Sequence, residues 1–447
     1  MKRLSQYYSI GIVVSLLLVL FSSCSDSGYV DAIPAQSSAI VSIDAAKATG
    51  VQNGLVLKTL LKATDLGKTG IDVGRKIYLF ETTDGNLGIC AAVDDASRLS
   101  STLEKIGCKI EEKRGYRFAV VAGSWLAGFS DDALLVMGPV PVSDVAVMQN
   151  RMARYLSQEE GQGITGTSMF ACLDTVNAPM AMIAQAAALP RQLVMPFTLG
   201  APKDADPSQV IVSAAINISK GVMYIDGTTF SFNKRIDEAL KESRKIYRPV
   251  KGRYLGSMSA DAASGMFLNV DGSKFINVMR GNPMLQAMLA GINAAIDMDN
   301  IIKSIDGEMA VVTPSYVEGK ISMSIAAELA HTDWLADVGY WKQSVPEGGK
   351  LTDWKPNAYI YSGGSTSFCF GVTDDKQFFS GSSTTEAEQS VMPAANPISQ
   401  QQTEVIRGSR LALIVNIAAL DGGNSKAVAS MLRPLTGNIS AIVFTMK

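Results

Sequence analysis

Short alternating apolar and polar runs, split by small or acidic residues, dominate the chain from residue 37 onward. Tyr116–Val121, Trp125–Ser130 and Ala133–Gly138 are three such runs. Period-two alternation with tight connections predicts a meander of antiparallel strands, with Asp131-Asp132 in a hairpin turn. At an offset of 243 the same pattern returns without a gap over residues 116–132. Tyr116 meets Tyr359, Phe118 meets Tyr361, Gly128 meets Gly371, and Asp131-Asp132 meets Asp374-Asp375.

The repeat extends upstream with variable spacing. Ile40–Ile43 ends in Asp44 and Phe267–Val270 ends in Asp271, each followed by a helical pattern. Strands are expected next at 76–81 with 86–93, and at 309–314 with 320–329, before helices through Arg98–Leu103 and Trp334–Val338. A shorter echo closes each half. A strand at Met169–Leu173 runs into Asp174 and a helix to Leu189, followed by strands at 210–216 and 222–230 and a helix at 234–242. In the other half, Leu411–Ile417 leads to a helix at 426–432 and a strand at 439–446.

Sequential strands with interspersed helices predict an α+β fold. It consists of two homologous halves, 24–246 and 255–447, each a largely antiparallel sheet with helices packed on one face. The polar break Tyr247–Tyr254 separates them. Residues 381–408, rich in Ser, Thr, Gln, Glu and Pro, have no counterpart in the first half and are expected to form a mobile loop.

The amino terminus follows another pattern. Lys2 and Arg3 precede the apolar run Ile10–Phe21, which ends in Ser22-Ser23-Cys24. The run is shorter than the roughly 17 to 25 residues a transmembrane helix needs. Residues 1–23 therefore read as a secretory signal, and Cys24 as the lipid-modified first residue of the mature chain. Removing Lys2 and Arg3 from 40 basic and 42 acidic residues takes the net charge from −2 to about −4. With no basic patch, nucleic acid is not an expected partner. At 47% hydrophobic and 18% charged residues, the chain can bury a large core.

Candidate chemistry is sparse, and no catalytic constellation, cofactor or metal site is expected. Asp44, Asp174 and Asp271 stand at strand-to-helix junctions, where an aspartate caps free backbone N–H groups. The pairs Asp94-Asp95, Asp131-Asp132 and Asp374-Asp375 fall at turns or helix starts, whereas a glycosidase needs two carboxylates facing one bond. His331 is the sole histidine, so a hydrolase triad would depend on it. No Gly-x-Gly-x-x-Gly follows a strand. Met266, Met279, Met284, Met288 and Met298 suit a core stripe. Trp334, Trp341 and Trp354 would have to be exposed to stack on sugars. Cys90, Cys108, Cys172 and Cys369 are scattered and read as free thiols.

The stretch Cys24-Ser25-Asp26-Ser27-Gly28-Tyr29-Val30-Asp31-Ala32-Ile33-Pro34-Ala35, followed by Ser38–Asp44, resembles a family of Bacteroidetes lipoproteins built on a domain of unknown function. The resemblance implies a Gram-negative envelope and supplies no catalytic residues. Surface-exported lipoproteins of that phylum are similar in carrying acids just after the cysteine. Only Asp26 does so here, which favours an outer-membrane anchor facing the periplasm. The expected role is non-catalytic binding or structure at a membrane held through Cys24, with an envelope protein complex or a glycan as the expected partner. The alternatives are a carbohydrate-binding component of a surface glycan-uptake system and an uncharacterised hydrolase.

Overall fold

The computed structural model describes residues 28–44, 55–189, 197–282, 296–317, 320–363, 366–417 and 439–447, with single positions 194, 286, 293 and 419. Ten strands form the first part: β1 Ser37–Ile43, β2 Ile77–Thr82, β3 Leu87–Ala92, β4 Glu111–Lys113, β5 Tyr116–Val121, β6 Trp125–Phe129, β7 Ala133–Gly138, β8 Met180–Gln185, β9 Ile211–Ser219 and β10 Val222–Phe230. The second part begins with β11 Ser264–Asp271, β12 Ile305–Thr313, the small hairpin β13 Tyr316–Val317 and β14 Lys320–Ile321, and β15 Ser324–Leu329. It continues with β16 Lys350–Lys355, β17 Ala358–Gly363, β18 Thr366–Val372, β19 Gln377–Gly381, β20 Leu411–Asn416 and β21 Ala441–Met446.

Among the described residues, all strands except β13 and β14 join one 19-stranded sheet. Its pairings trace the spatial order 4-5-6-7-3-2-1-8-9-10-21-20-11-12-15-19-18-17-16. Every pair is antiparallel except β10 with β21, which run parallel from Val222 beside Ala441 to Gly227 beside Met446. The two halves therefore share one sheet, where the sequence suggested one each. They also share a core, in which Phe197 meets Phe444 edge-on at 4.6 Å and Ile236 and Leu240 join Leu268 and Met446.

Helices cover both faces, not one. They are α1 Leu55–Leu60, α2 Ala96–Lys105, α3 Val145–Leu156, α4 Ser168–Asp174, α5 Lys234–Arg244, α6 Gly272–Gly281, α7 Met298–Lys303, α8 Val338–Ser344, α9 Thr384–Gln389 and α10 Gln400–Ile406. Along β3, Ile89 and Ala91 pack with Leu99 and Leu103 of α2, while Cys90 and Ala92 face Met148 and Met152 of α3. Likewise Leu268 faces Phe275 of α6 while Phe267 shares a cluster with Ile406 of α10. The reason is visible in β7, where all six residues are buried: a strand apolar on both sides needs a layer on each.

Three expectations change. Residues 381–408 hold α9 and α10, with Ala387 and Ile406 fully buried, so the expected loop is packed helix. Met169–Leu173 lies within helix α4, started by Thr167, whose side chain accepts from Phe170 N; the strand is β8, eleven residues later. The ungapped offset also slips. Gly128 pairs with Phe118 but Gly371 pairs with Ala358, because the second hairpin continues to Gly363 and Thr366 while the first stops at Val121 and Trp125. The helix expected at 426–432 lies outside the described residues.

One charge contact ties the β2–β3 turn to α3. Asp84 accepts from the Thr82 hydroxyl and from Arg151 Nη1, the latter at 2.5 Å. The Thr82 hydroxyl, with Asn86 and Arg151, lowers the Asp84 carboxyl from 3.8 to about 2. A depressed folded value contributes stability that is complete above the unfolded value and is lost as pH falls through about 2. Asp84→Asn should therefore destabilise the protein above about pH 4, by an amount on the order of 0.5 kcal/mol for so exposed a pair, with the difference closing toward pH 2. Calorimetry of both proteins across that range checks it; a gap that persists at the acid end would contradict it.

Candidate functional site

Cys24 and the signal residues 1–23 lie outside the described residues. Four residues after Cys24, the chain enters the core. Gly28 is exposed, but Tyr29, Val30, Asp31, Ala32 and Ile33 are all buried beneath β3, β7 and α3. The 3₁₀ turn Gly28–Ala32 makes this possible, since it aims the apolar side chains inward while turning Asp31 toward the loop after α3. Tyr29 donates its hydroxyl to Lys76 O at 2.7 Å, and its own carbonyl accepts from the Cys90 thiol at 3.2 Å. Burial pushes both the Tyr29 phenol and the Cys90 thiol up, so neither ionises near neutral pH.

Asp31, 1% exposed, is the residue that sequence reasoning missed. Its carboxylate accepts from Gly161 N at 3.2 Å, Gly163 N at 3.1 Å, Thr165 N at 3.2 Å and the Thr165 hydroxyl at 2.6 Å. The available signal was the loop itself: Gly161-Gln162-Gly163-Ile164-Thr165-Gly166 has Gly-x-Gly-x-x-Gly spacing. It follows a helix instead of a strand, and its N–H groups hold the chain's own carboxylate where a nucleotide loop would hold phosphate. A Cβ on Gly163 would lie 2.2 Å from Asp31 O, so glycine is required for the approach.

The second half uses the same chemistry with the partners exchanged. There the buried carboxylate, Glu308, sits in strand β12 and the N–H donors lie in the leading segment. Gly252 N and Arg253 N donate to Glu308 at 2.9 and 2.7 Å, and Lys251 N donates as well. Each lead-in to a half is thus pinned by a carboxylate in a backbone nest.

The other candidates separate in space. Asp271 and Asp95 are N-caps, accepting from Ser273 N at 3.0 Å and Arg98 N at 2.9 Å. Asp174 is not a cap: it ends α4, exposed, 3.4 Å from Lys76 Nζ. Asp44 ends the described segment before residues 45–54, which carry its expected helix. Asp131-Asp132 and Asp374-Asp375 occupy the β6–β7 and β18–β19 turns, and Asp375 pairs with Arg253 at 2.9 Å. His331 lies on the surface with Nδ1 3.1 Å from Asp333, so the structure gives it a carboxylate and brings no nucleophile to it among the described hydrogen bonds.

Trp334 and Trp341 are buried, stacked at 6.0 Å with planes 5° apart, and Trp354 is half-buried against Phe379. Two of the three indoles that a glycan would need are thus core residues. Met279 and Met298 join the same core; Met284 and Met288 lie outside the described residues. The four cysteines are free.

Two recesses stand out among the described residues. One, of about 730 Å³, lies beside the β10–β21 seam, lined by Tyr224, Asp261, Gln401 and Asn416 among others. The second, of about 560 Å³, opens beside Gly28 and is bounded by Arg75, Ser130, Asp132, Gln158 and Glu159. No described helix is long and apolar enough to cross a membrane.

A family profile described as "Domain of unknown function (DUF4836)" matches residues 29–395. No curated protein matches the chain. Among solved structures, crystal form IV of TP0453 aligns over 40% of this chain and 67% of its own at 11% identity, with a TM-score of 0.26. Crystal form III aligns over 41% and 68%, with 11% identity and the same TM-score. A likeness at that level does not define a shared fold.

Proposed function

Because the chain belongs to the DUF4836 family, whose function is unknown, we propose a role from its own residues: a lipoprotein of the cell envelope, held at the outer membrane by acyl chains on Cys24 and serving a non-catalytic binding or structural role. The observation that carries this reading is the apolar run Ile10–Phe21 ending in Ser22-Ser23-Cys24, with the buried fold starting at Tyr29. Signal, anchor and folded body follow one another with nothing to spare. Acylation by more than one chain supports stable anchoring, whereas a single chain holds only marginally. The scarcity of acids after Cys24 favours the periplasmic face.

The proposal includes an internal duplication. Its support is the mirrored strand order about β10, 4-5-6-7-3-2-1-8-9 against 16-17-18-19-15-12-11-20-21, with α3 and α4 before β8 matched by α9 and α10 before β20. A duplicated body with buried indoles and aspartates engaged in caps, turns and backbone nests suits a scaffold better than an enzyme.

Cys24→Ala tests the anchor. The substitution should move the protein from the membrane pellet to the soluble fraction, read by fractionation and blotting. Retention of the variant in the membrane would refute the proposal.

A further inference from the structure

The spacing between anchor and fold has a geometric consequence, which rests on the proposed acylation of Cys24. From Cys24 to Gly28 are four Cα steps, which reach at most ~14 Å when fully extended. Gly28 is fixed in position because Tyr29, Val30 and Ile33 are buried and Asp31 is locked by the loop at 161–165. The anchor therefore cannot stray far from one end of the first half.

That end is well defined. Strands β2, β3 and β7 and helix α3 all run between two extremities of the sheet. Near Gly28 lie Arg75 before β2, Val93 after β3, Asp132 before β7 and Glu159 after α3. At the other extremity lie the β2–β3 turn and Val142, which follows β7 and is 87% exposed. A six-residue strand spans ~20 Å, so the far end is farther from Gly28 than the tether can reach.

We propose that the end of the first half carrying Arg75, Asp132 and Glu159 lies against the bilayer surface, and that the end carrying Val142 points away from it. Charge refines the kind of surface. Lys76 and Arg117 there are paired with Asp174 and Asp131, and among the residues bounding the recess Asp132, Glu159 and Glu160 outnumber Arg75, so this face gains nothing from anionic headgroups and suits a zwitterionic one. The acyl chains set the attachment, and the short tether sets the orientation.

The test uses the full-length protein purified from membranes and placed in phosphatidylcholine vesicles that carry a nickel-chelating headgroup. Cys108 and Cys172, which are partly exposed, are changed to serine; Cys90 and Cys369 are buried. A nitroxide is attached at Glu159→Cys or at Val142→Cys. The expected result is relaxation enhancement several-fold stronger at 159 than at 142. Inserting a flexible Gly/Ser stretch between Ser27 and Gly28 should erase that difference while vesicle flotation is unchanged. Equal or reversed enhancement in floating protein would overturn the orientation while leaving the anchor intact. An unacylated amino-terminal peptide, read by mass spectrometry, with no flotation would overturn both.

Discussion

Asp31→Ala is expected to destabilise the protein by about 3–5 kcal/mol, because it leaves buried donors without the charged acceptor that all of them share. Gly161 N, Gly163 N, Thr165 N and the Thr165 hydroxyl converge on that carboxylate, and no alanine side chain can replace it. Asp31→Asn keeps one oxygen and should lose about half as much, since its NH₂ faces the remaining donors. Gly163→Ala should approach the alanine effect by a different route, as its Cβ would lie 2.2 Å from Asp31 O and 2.6 Å from Asp31 Cα. The measurement is the first transition in urea unfolding, because a chain of this size need not unfold in one step. A loss below about 1 kcal/mol for Asp31→Ala would mean that the apolar neighbours Tyr29, Val30 and Ile33 hold the segment by themselves.

Trp334→Ala should cost a similar amount, about 3–5 kcal/mol, through the cavity left by a large buried ring. The indole stacks on Trp341, lies 6.3 Å from Phe370 and meets Phe378 at 75°, and its Nε1 has no hydrogen-bond partner among the described residues. Packing alone retains it, so Trp334→Phe should recover most of the loss. The pair also separates two roles for the tryptophans. A stacked core ring lowers Tm when removed and leaves polysaccharide retention unchanged. A sugar platform would do the reverse, and that outcome in affinity electrophoresis would contradict the core assignment.

Much of the strand pattern was legible because alternation and turn chemistry act locally. The strands β5 to β7 and β17 to β19, the hairpin positions of the double aspartates and the caps at Asp95 and Asp271 each follow from neighbours a few residues away. Met169–Leu173 misled because a short apolar run suits a strand and a buried helix equally; Thr167, a capping residue just ahead of it, was the local sign of a helix. Residues 381–408 misled for the opposite reason. Their polar composition describes the outer faces of α9 and α10, and only a few residues, Ala387 and Ile406 among them, reach the core. Asp31 was invisible as a site because its partners lie about 130 positions later.

The sequence by itself determined where strands alternate, where the helices at Ala96, Lys234 and Gly272 begin, and that a basic start, an apolar run and Cys24 precede them. These depend on period, capping and composition, which are properties of short stretches of chain. The tertiary structure alone decided that β10 runs parallel to β21 and joins the strands on either side into one sheet, that helices cover both faces, and that Asp31 occupies a glycine loop from another part of the chain. Each of these depends on which distant surface satisfies a buried group, and burial and hydrogen bonding across long separations leave little trace in local pattern.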